Sequence, residues 1–140
     1  MSVRVFYHSL TGNTKKVAEK IAHTVGCTAE PVGAAMVSEP VNILFLGAAV
    51  HGGDVDALVK KFIERLDPAF IKQVTVFGTG FQEHKDQVVG IMKGLLAQRG
   101  IAATDKCYFC RGKFLLFNRK SPDEQDLKGA EEFARSVLTE

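Results

Sequence analysis

Short runs rich in β-branched and aromatic residues alternate along this chain with stretches whose apolar residues recur every three to four positions. Val3-Arg4-Val5-Phe6-Tyr7-His8 has the composition of a strand. After it, Val17, Ala18, Ile21, Ala22 and Val25 line one face of a predicted helix, with Lys15, Lys16, Glu19 and Lys20 on the other. Thr28 to Val32 is a weakly marked second strand. Val41 to Gly47 is apolar on both faces, as a central strand of a parallel sheet should be. A second helix is predicted to begin at Asp54, to bury Val55, Leu58, Val59, Phe62 and Leu66, and to end at Asp67-Pro68. Gln73 to Gly78 reads as a fourth strand. The third helix carries Val88, Val89, Met92, Leu95 and Leu96, with Gly100 as its C′ residue. Ala102 to Phe109 reads as a fifth strand. Ser121 as N-cap, Pro122 at N1 and Glu124 at N3 announce a last helix whose inner face is Leu127, Ala130, Phe133, Ala134 and Val137.

Strands alternating with helices imply an α/β protein, a parallel sheet covered on both sides through right-handed crossovers. The link from Val32 to Pro40 is short for a helical crossover and is expected to be a turn or loop. No internal repeat, low-complexity tract or linker interrupts the 140 residues, which read as a single domain, 1–140.

Charge and cysteine usage narrow the function classes. The chain has 18 Lys plus Arg against 16 Asp plus Glu, a formal charge of +2, which disfavours a strongly basic nucleic-acid surface. No apolar run reaches the ~18 residues of a membrane span, and the amino terminus enters a strand at once, so neither membrane insertion nor a signal peptide is expected. Three cysteines, an odd number, argue against a secreted disulfide scaffold and for a cytoplasmic protein.

The most informative stretch is Ser9-Leu10-Thr11-Gly12-Asn13-Thr14, which joins the first strand to the first helix. Hydroxyl and amide side chains and a glycine sit there beside the amides of a helix start, which carry partial positive charge and lack acceptors; that is an anion cradle. The plainer alternative is a capped helix, with Asn or Thr as the cap. Neither G-x-x-x-x-G-K-[ST] nor G-x-G-x-x-G is present.

The stretch closely resembles the S/T-x-T-G-N-T loop of the flavodoxin family, with Ser9, Thr11, Gly12, Asn13 and Thr14 matching the defined positions and the same placement after the first strand. The resemblance implies a three-layer doubly wound sandwich, a five-stranded parallel sheet in 2-1-3-4-5 order, with FMN as cofactor. It implies that Ser9, Thr11, Asn13 and Thr14, with the backbone amides of Leu10 to Thr14, hold the FMN phosphate. Two further loops, Gly47-Ala48-Ala49-Val50-His51-Gly52-Gly53 and Thr79-Gly80-Phe81, would hold the isoalloxazine ring. No catalytic side chain and no metal ligand is implied. The implied role is electron carriage to or from a redox partner protein. An FMN-dependent NAD(P)H:quinone or small-acceptor reductase is the alternative, and a flavin-free binding module on the same fold is a third reading.

The chain also departs from the family pattern. General electron carriers of this family are strongly acidic, and this chain is not. It has no Trp, so the usual flavin-stacking pair is missing. Phe81 is either an outer ring wall or a hinge aromatic, and His51 either an inner wall or a solvated imidazole. Gly52-Gly53 is either an ordinary tight turn or a peptide free to reorient its carbonyl toward the flavin on reduction. Cys107-Tyr108-Phe109-Cys110 runs off a strand end, where alternation points the thiols apart, rather than starting a helix as a reactive pair does. Cys107 is expected to be buried packing and Cys110 accessible near the pocket mouth. Arg111, Lys113, Arg119 and Lys120, interleaved with Phe114, Leu115, Leu116 and Phe117, form either a solvated segment or a docking patch for an acidic partner or anionic substrate.

Overall fold

The first apolar run forms β1 (Val3–Tyr7), whose Val5, Phe6 and Tyr7 are buried because the strand lies inside the sheet rather than at its edge. The computed structural model describes residues 1–50, 54–80, 82–111 and 122–139. After β1 come α1 (Asn13–Val25), β2 (Ala29–Pro31), β3 (Val41–Val50), α2 (Ala57–Arg65), β4 (Ile71–Gly80), α3 (Lys85–Gln98), β5 (Ala103–Cys110) and α4 (Glu124–Leu138). All strand pairs are parallel, and the order is β2-β1-β3-β4-β5, as the sequence resemblance implies. Strand order reverses between β1 and β3, so their carboxyl ends flank a crevice where doubly wound sheets bind ligands.

Alternation along the central strands divides the core in two. Phe6, Leu44, Leu46, Val74 and Val76 pack with Val59, Phe62 and Ile63 of α2 and Val88, Met92 and Leu96 of α3. Val5, Ile43, Phe45 and Phe77 pack with Val17 and Ile21 of α1 and Phe133, Ala134 and Val137 of α4. Each large side chain buried this way stabilises the fold by about 1.5–3 kcal/mol, which is why helix faces and strand parity together dictate the layers.

Several boundaries differ from the sequence expectation, each for a physical reason. β3 extends beyond Gly47 to Val50, and β4 runs from Ile71 to Gly80 rather than from Gln73 to Gly78. Ala48, Ala49 and Val50 pair with Gly78, Thr79 and Gly80, so a paired backbone draws residues of low strand propensity into the ladder. Gly47 and Gly78 are required by packing: a Cβ at Gly47 would collide with the Phe77 ring, and one at Gly78 with the Ala48 carbonyl and the Phe109 ring.

The second helix starts at Ala57, not Asp54, because Asp56 is its N-cap and accepts a hydrogen bond from the Leu58 N–H at 2.8 Å. Val59, Phe62, Ile63 and Leu66 form the buried stripe, and Leu58 stands outside it at 39% exposure. The last helix is capped by Asp123, not Ser121. The Asp123 carboxylate accepts from the Asp126 N–H at 2.9 Å, and the Asp126 carboxylate accepts from the Asp123 N–H at 3.0 Å, a capping box two residues beyond the expected one. Ser121 lies outside the described residues.

The Val32–Pro40 link contains no helix, as its length predicts. Val32 and Val37 are buried beneath it, and Arg65 at the end of α2 donates to the carbonyls of Val32, Gly33 and Ala35 at 3.2, 2.8 and 3.3 Å. One guanidinium thus satisfies backbone acceptors that a helix would have paired internally. Among the described residues, no helix is long and apolar enough to cross a membrane.

Candidate functional site

Ser9–Thr14 leaves the carboxyl end of β1 and enters α1 directly, beside the strand-order reversal. Gly12 is the N-cap residue with φ +90°, a left-handed conformation that glycine adopts without a Cβ penalty. It offers no side-chain acceptor to the helix, and the first turn of α1 contains no acidic residue. The first-turn amides, which have no intrahelical acceptor, are therefore left without an N-cap carboxylate or hydroxyl. Ser9 Oγ accepts from the Gly12 N–H at 3.0 Å, which braces the loop and leaves the Ser9 hydroxyl proton to donate. Leu10 projects to solvent and Thr11 is exposed, whereas Asn13 and Thr14 are buried. A donor set of amides and hydroxyls, with no carboxylate within the loop, suits a phosphate.

Two side-chain contacts tie this loop to neighbouring elements. Thr14 Oγ1 and Thr79 Oγ1 lie 2.7 Å apart, with both residues at most 2% exposed. Thr79 stands at the carboxyl end of β4, in register with Ala49 of β3 and Cys110 of β5. On the other side, His8 Nε2 lies 3.4 Å from Asp56 Oδ2, while the other Asp56 oxygen caps α2. The His8 N–H also donates to the Gly47 carbonyl at 3.2 Å. The root of the loop is thus held to the start of α2 and to β3. Asp54, just before α2, is paired with Lys60 at 3.0 Å. The Val55 N–H and that ammonium hold its carboxyl below the ordinary carboxylate value.

Of the ring-loop candidates, Gly47, Ala48, Ala49 and Val50 are the last residues of β3, and Thr79 and Gly80 the last of β4. The two strand ends are neighbours, so the structure brings these residues to one edge beside Ser9–Thr14. The Ala48 side chain itself belongs to the core on the α2 and α3 face. His51, Gly52, Gly53 and Phe81 lie outside the described residues, as do Lys113, Phe114, Leu115, Leu116, Phe117, Arg119 and Lys120.

The cysteines correct one expectation. Cys110 is buried, 6% exposed, and Cys107 is the half-exposed one. Strand parity is the reason: Cys110 shares the face of Tyr108, which packs against α4, whereas Cys107 has the parity of Phe109 on the other face. Both thiols are free, and opposite faces keep them from acting as a pair. Burial, with the nearby Asp126 and Asp123 carboxylates, pushes the Cys110 thiol up to about 12, so it stays protonated beside Thr79. Among the described residues, no group of His, Cys, Asp and Glu is arranged to hold a metal ion.

A family model for the flavodoxin domain matches residues 4–116. The chain belongs to the flavodoxin family. An uncharacterised protein of Methanocaldococcus jannaschii is 26% identical to this flavodoxin-family chain over 99% of both sequences. A flavodoxin from the domain Archaea superposes with a TM-score of 0.76 at 16% identity, covering 99% of this chain and 97% of its own. Flavodoxin 2 of Bacillus cereus gives 0.75 at 20% identity, with 99% of each chain covered. The rubredoxin oxygen:oxidoreductase of Desulfovibrio gigas gives 0.73 at 16% identity; this chain covers 35% of that larger protein. At these identities the structural likenesses speak to fold, and the family model supplies the flavin-binding, redox character of the domain.

Sequence reasoning missed His8, Asp56 and the Thr14–Thr79 contact. His8 was legible only as a strand residue, because its partner lies 48 positions away. Thr79, at the end of the buried part of β4, was a usable signal, since a buried threonine needs a partner.

Proposed function

We propose that this chain, acting as one domain, binds FMN at Ser9–Thr14 and the adjoining ends of β3 and β4, and carries electrons to or from a partner protein. The single observation that carries the reading is the start of α1: a left-handed glycine cap, no acidic residue in the first turn, and hydroxyls around it, at the point where strand order reverses. Ser9, Thr11, Asn13 and Thr14, with the loop amides, would hold the phosphate. Gly47–Gly53 and Thr79–Phe81 would receive the ring. The bound flavin supplies the electron chemistry. The chain's own groups would supply binding and orientation, with the His8–Asp56 contact fixing the loop root. A protonated Cys110 places no thiolate charge at the end of β5. The three free cysteines support a reducing, cytoplasmic setting.

The visible spectrum of freshly purified protein tests the cofactor, and titration with FMN and riboflavin tests the phosphate cradle. Thr11→Ala combined with Thr14→Ala should weaken FMN at least about tenfold and riboflavin little, because charge-assisted bonds to phosphate are lost. Equal losses for both flavins would overturn the phosphate assignment. Rapid reduction of the FMN-loaded protein by NAD(P)H alone would favour a self-sufficient reductase over a carrier.

A further inference from the structure

The Thr14–Thr79 hydroxyl pair has a directionality that the proposed phosphate site makes consequential. Each hydroxyl has one proton and two lone pairs. At 2.7 Å, one of the two must donate to the other, and either can. Both residues are buried, at 1% and 2% exposure, so bulk water does not supply the missing proton. If Thr14 donates to Thr79, it turns only lone pairs toward the loop and repels an anion. If Thr79 donates to Thr14, the Thr14 proton is released toward the loop, where it meets an anionic oxygen. An anion selects the second arrangement, and the donated bond polarises Thr14 and strengthens its own donation.

We infer that Thr79, at the end of β4, is a positioning residue for the phosphate: it donates its hydroxyl proton to Thr14 Oγ1 and so orients the Thr14 hydroxyl toward a phosphomonoester. This inference rests on the FMN reading above. It assigns Thr79 to the phosphate end of the cofactor, whereas the family resemblance places that residue with the ring. The rest of β4 fits this role. Its other buried hydroxyl, Thr75, faces Thr104 of β5 at 2.9 Å, a partner within the sheet. Thr79 instead spends its hydroxyl across the sheet-helix boundary, on the second residue of α1. Rigid strands hold positions better than loops, so β4 supplies a fixed reference for a side chain at the helix start.

The test compares FMN and riboflavin dissociation constants for the natural chain, Thr79→Val and Thr79→Ser. Thr79→Val preserves shape and removes the donor; FMN should weaken about tenfold, riboflavin less than about twofold, and Thr79→Ser should restore most of the difference. A Val variant that loses both flavins equally, or neither, overturns the inference while leaving the FMN site standing. A natural chain that binds no flavin overturns both. Should Thr79→Val fail to fold, proton–phosphorus NMR of the FMN-loaded natural chain decides the matter. A through-bond coupling from the Thr14 hydroxyl proton to the phosphate is expected, and its absence, or a coupling from Thr79 instead, sinks the inference.

Discussion

α1 and α4 lie side by side on one face of the sheet and bury similar apolar stripes, yet their amino ends are built in opposite ways. α4 completes its own electrostatics: Asp123 and Asp126 accept each other's backbone protons, and Glu124 adds a third carboxylate to the first turn. α1 starts from a left-handed glycine with no side-chain acceptor and no acid. α2 follows the α4 design through Asp56. α3 also starts without a side-chain cap, at His84, but carries Asp86 in its first turn, so α1 differs from α3 and α4 in having no first-turn acid and from α2 in having no N-cap carboxylate.

The largest effect should come from giving α1 what α4 has. Gly12→Asp places a carboxylate against the loop and an L side chain at φ +90°. FMN affinity should fall roughly a hundredfold, while riboflavin binding falls only a few-fold, because like charge at close range is added to backbone strain. Isothermal titration with both ligands measures it, and unchanged FMN affinity would mean that the start of α1 is not the anion site. The reverse operation, Asp123→Ala, should cost about 1–2 kcal/mol in urea unfolding and leave the FMN constant unmoved. A shifted FMN constant would show that the two helix starts are not independent.

Asp56 refines the contrast, since it caps α2 and also meets His8. Asp56→Ala should cost about 1 kcal/mol of stability, whereas Asp56→Asn keeps a capping oxygen and should cost only a few tenths. Equal costs would mean that the charge toward His8, not the cap, is what Asp56 contributes.

The smallest effect lies at alkaline pH. Burial raises Tyr108 and Cys110 to about 12, and the Asp123 and Asp126 carboxylates of the α4 start push in the same direction. Both groups are neutral in the folded chain and ionise earlier when unfolded. Their contribution is therefore complete below the thiol's ordinary value of 9.0 and is lost as pH rises toward about 12. Asp123→Ala should soften that alkaline loss slightly, because burial is the first cause and the carboxylates the second. Urea midpoints measured between these pH values in both proteins check it; a steeper loss in the variant contradicts the assignment.

Much of this was readable from residue order. The 2-1-3-4-5 sheet follows from strand–helix alternation joined to the Ser9–Thr14 resemblance, and the missing second crossover helix from the length of the Val32–Pro40 link. Boundaries were less legible where tertiary pairing overrode local preference, as at Ala48–Val50, which joined a ladder that Gly78–Gly80 completed. Caps are ambiguous where several candidates stand close together. Ser121 and Asp123 both suit an N-cap, and only the reciprocal Asp123–Asp126 bonds distinguish them. Alternation alone leaves open which of Cys107 and Cys110 is buried, because burial at a strand end depends on which face α4 covers.

Local chemistry in the chain itself determined the Ser9–Thr14 strand-to-helix turn, the helix faces and the apolar central strands, since each depends on neighbours within a few positions. The tertiary structure alone decided that Thr79 meets Thr14, that His8 meets Asp56, and that Arg65 closes the short crossover. Those partners are 65, 48 and about 30 residues apart, and no periodicity along a sequence encodes which distant side chains the sheet will set side by side.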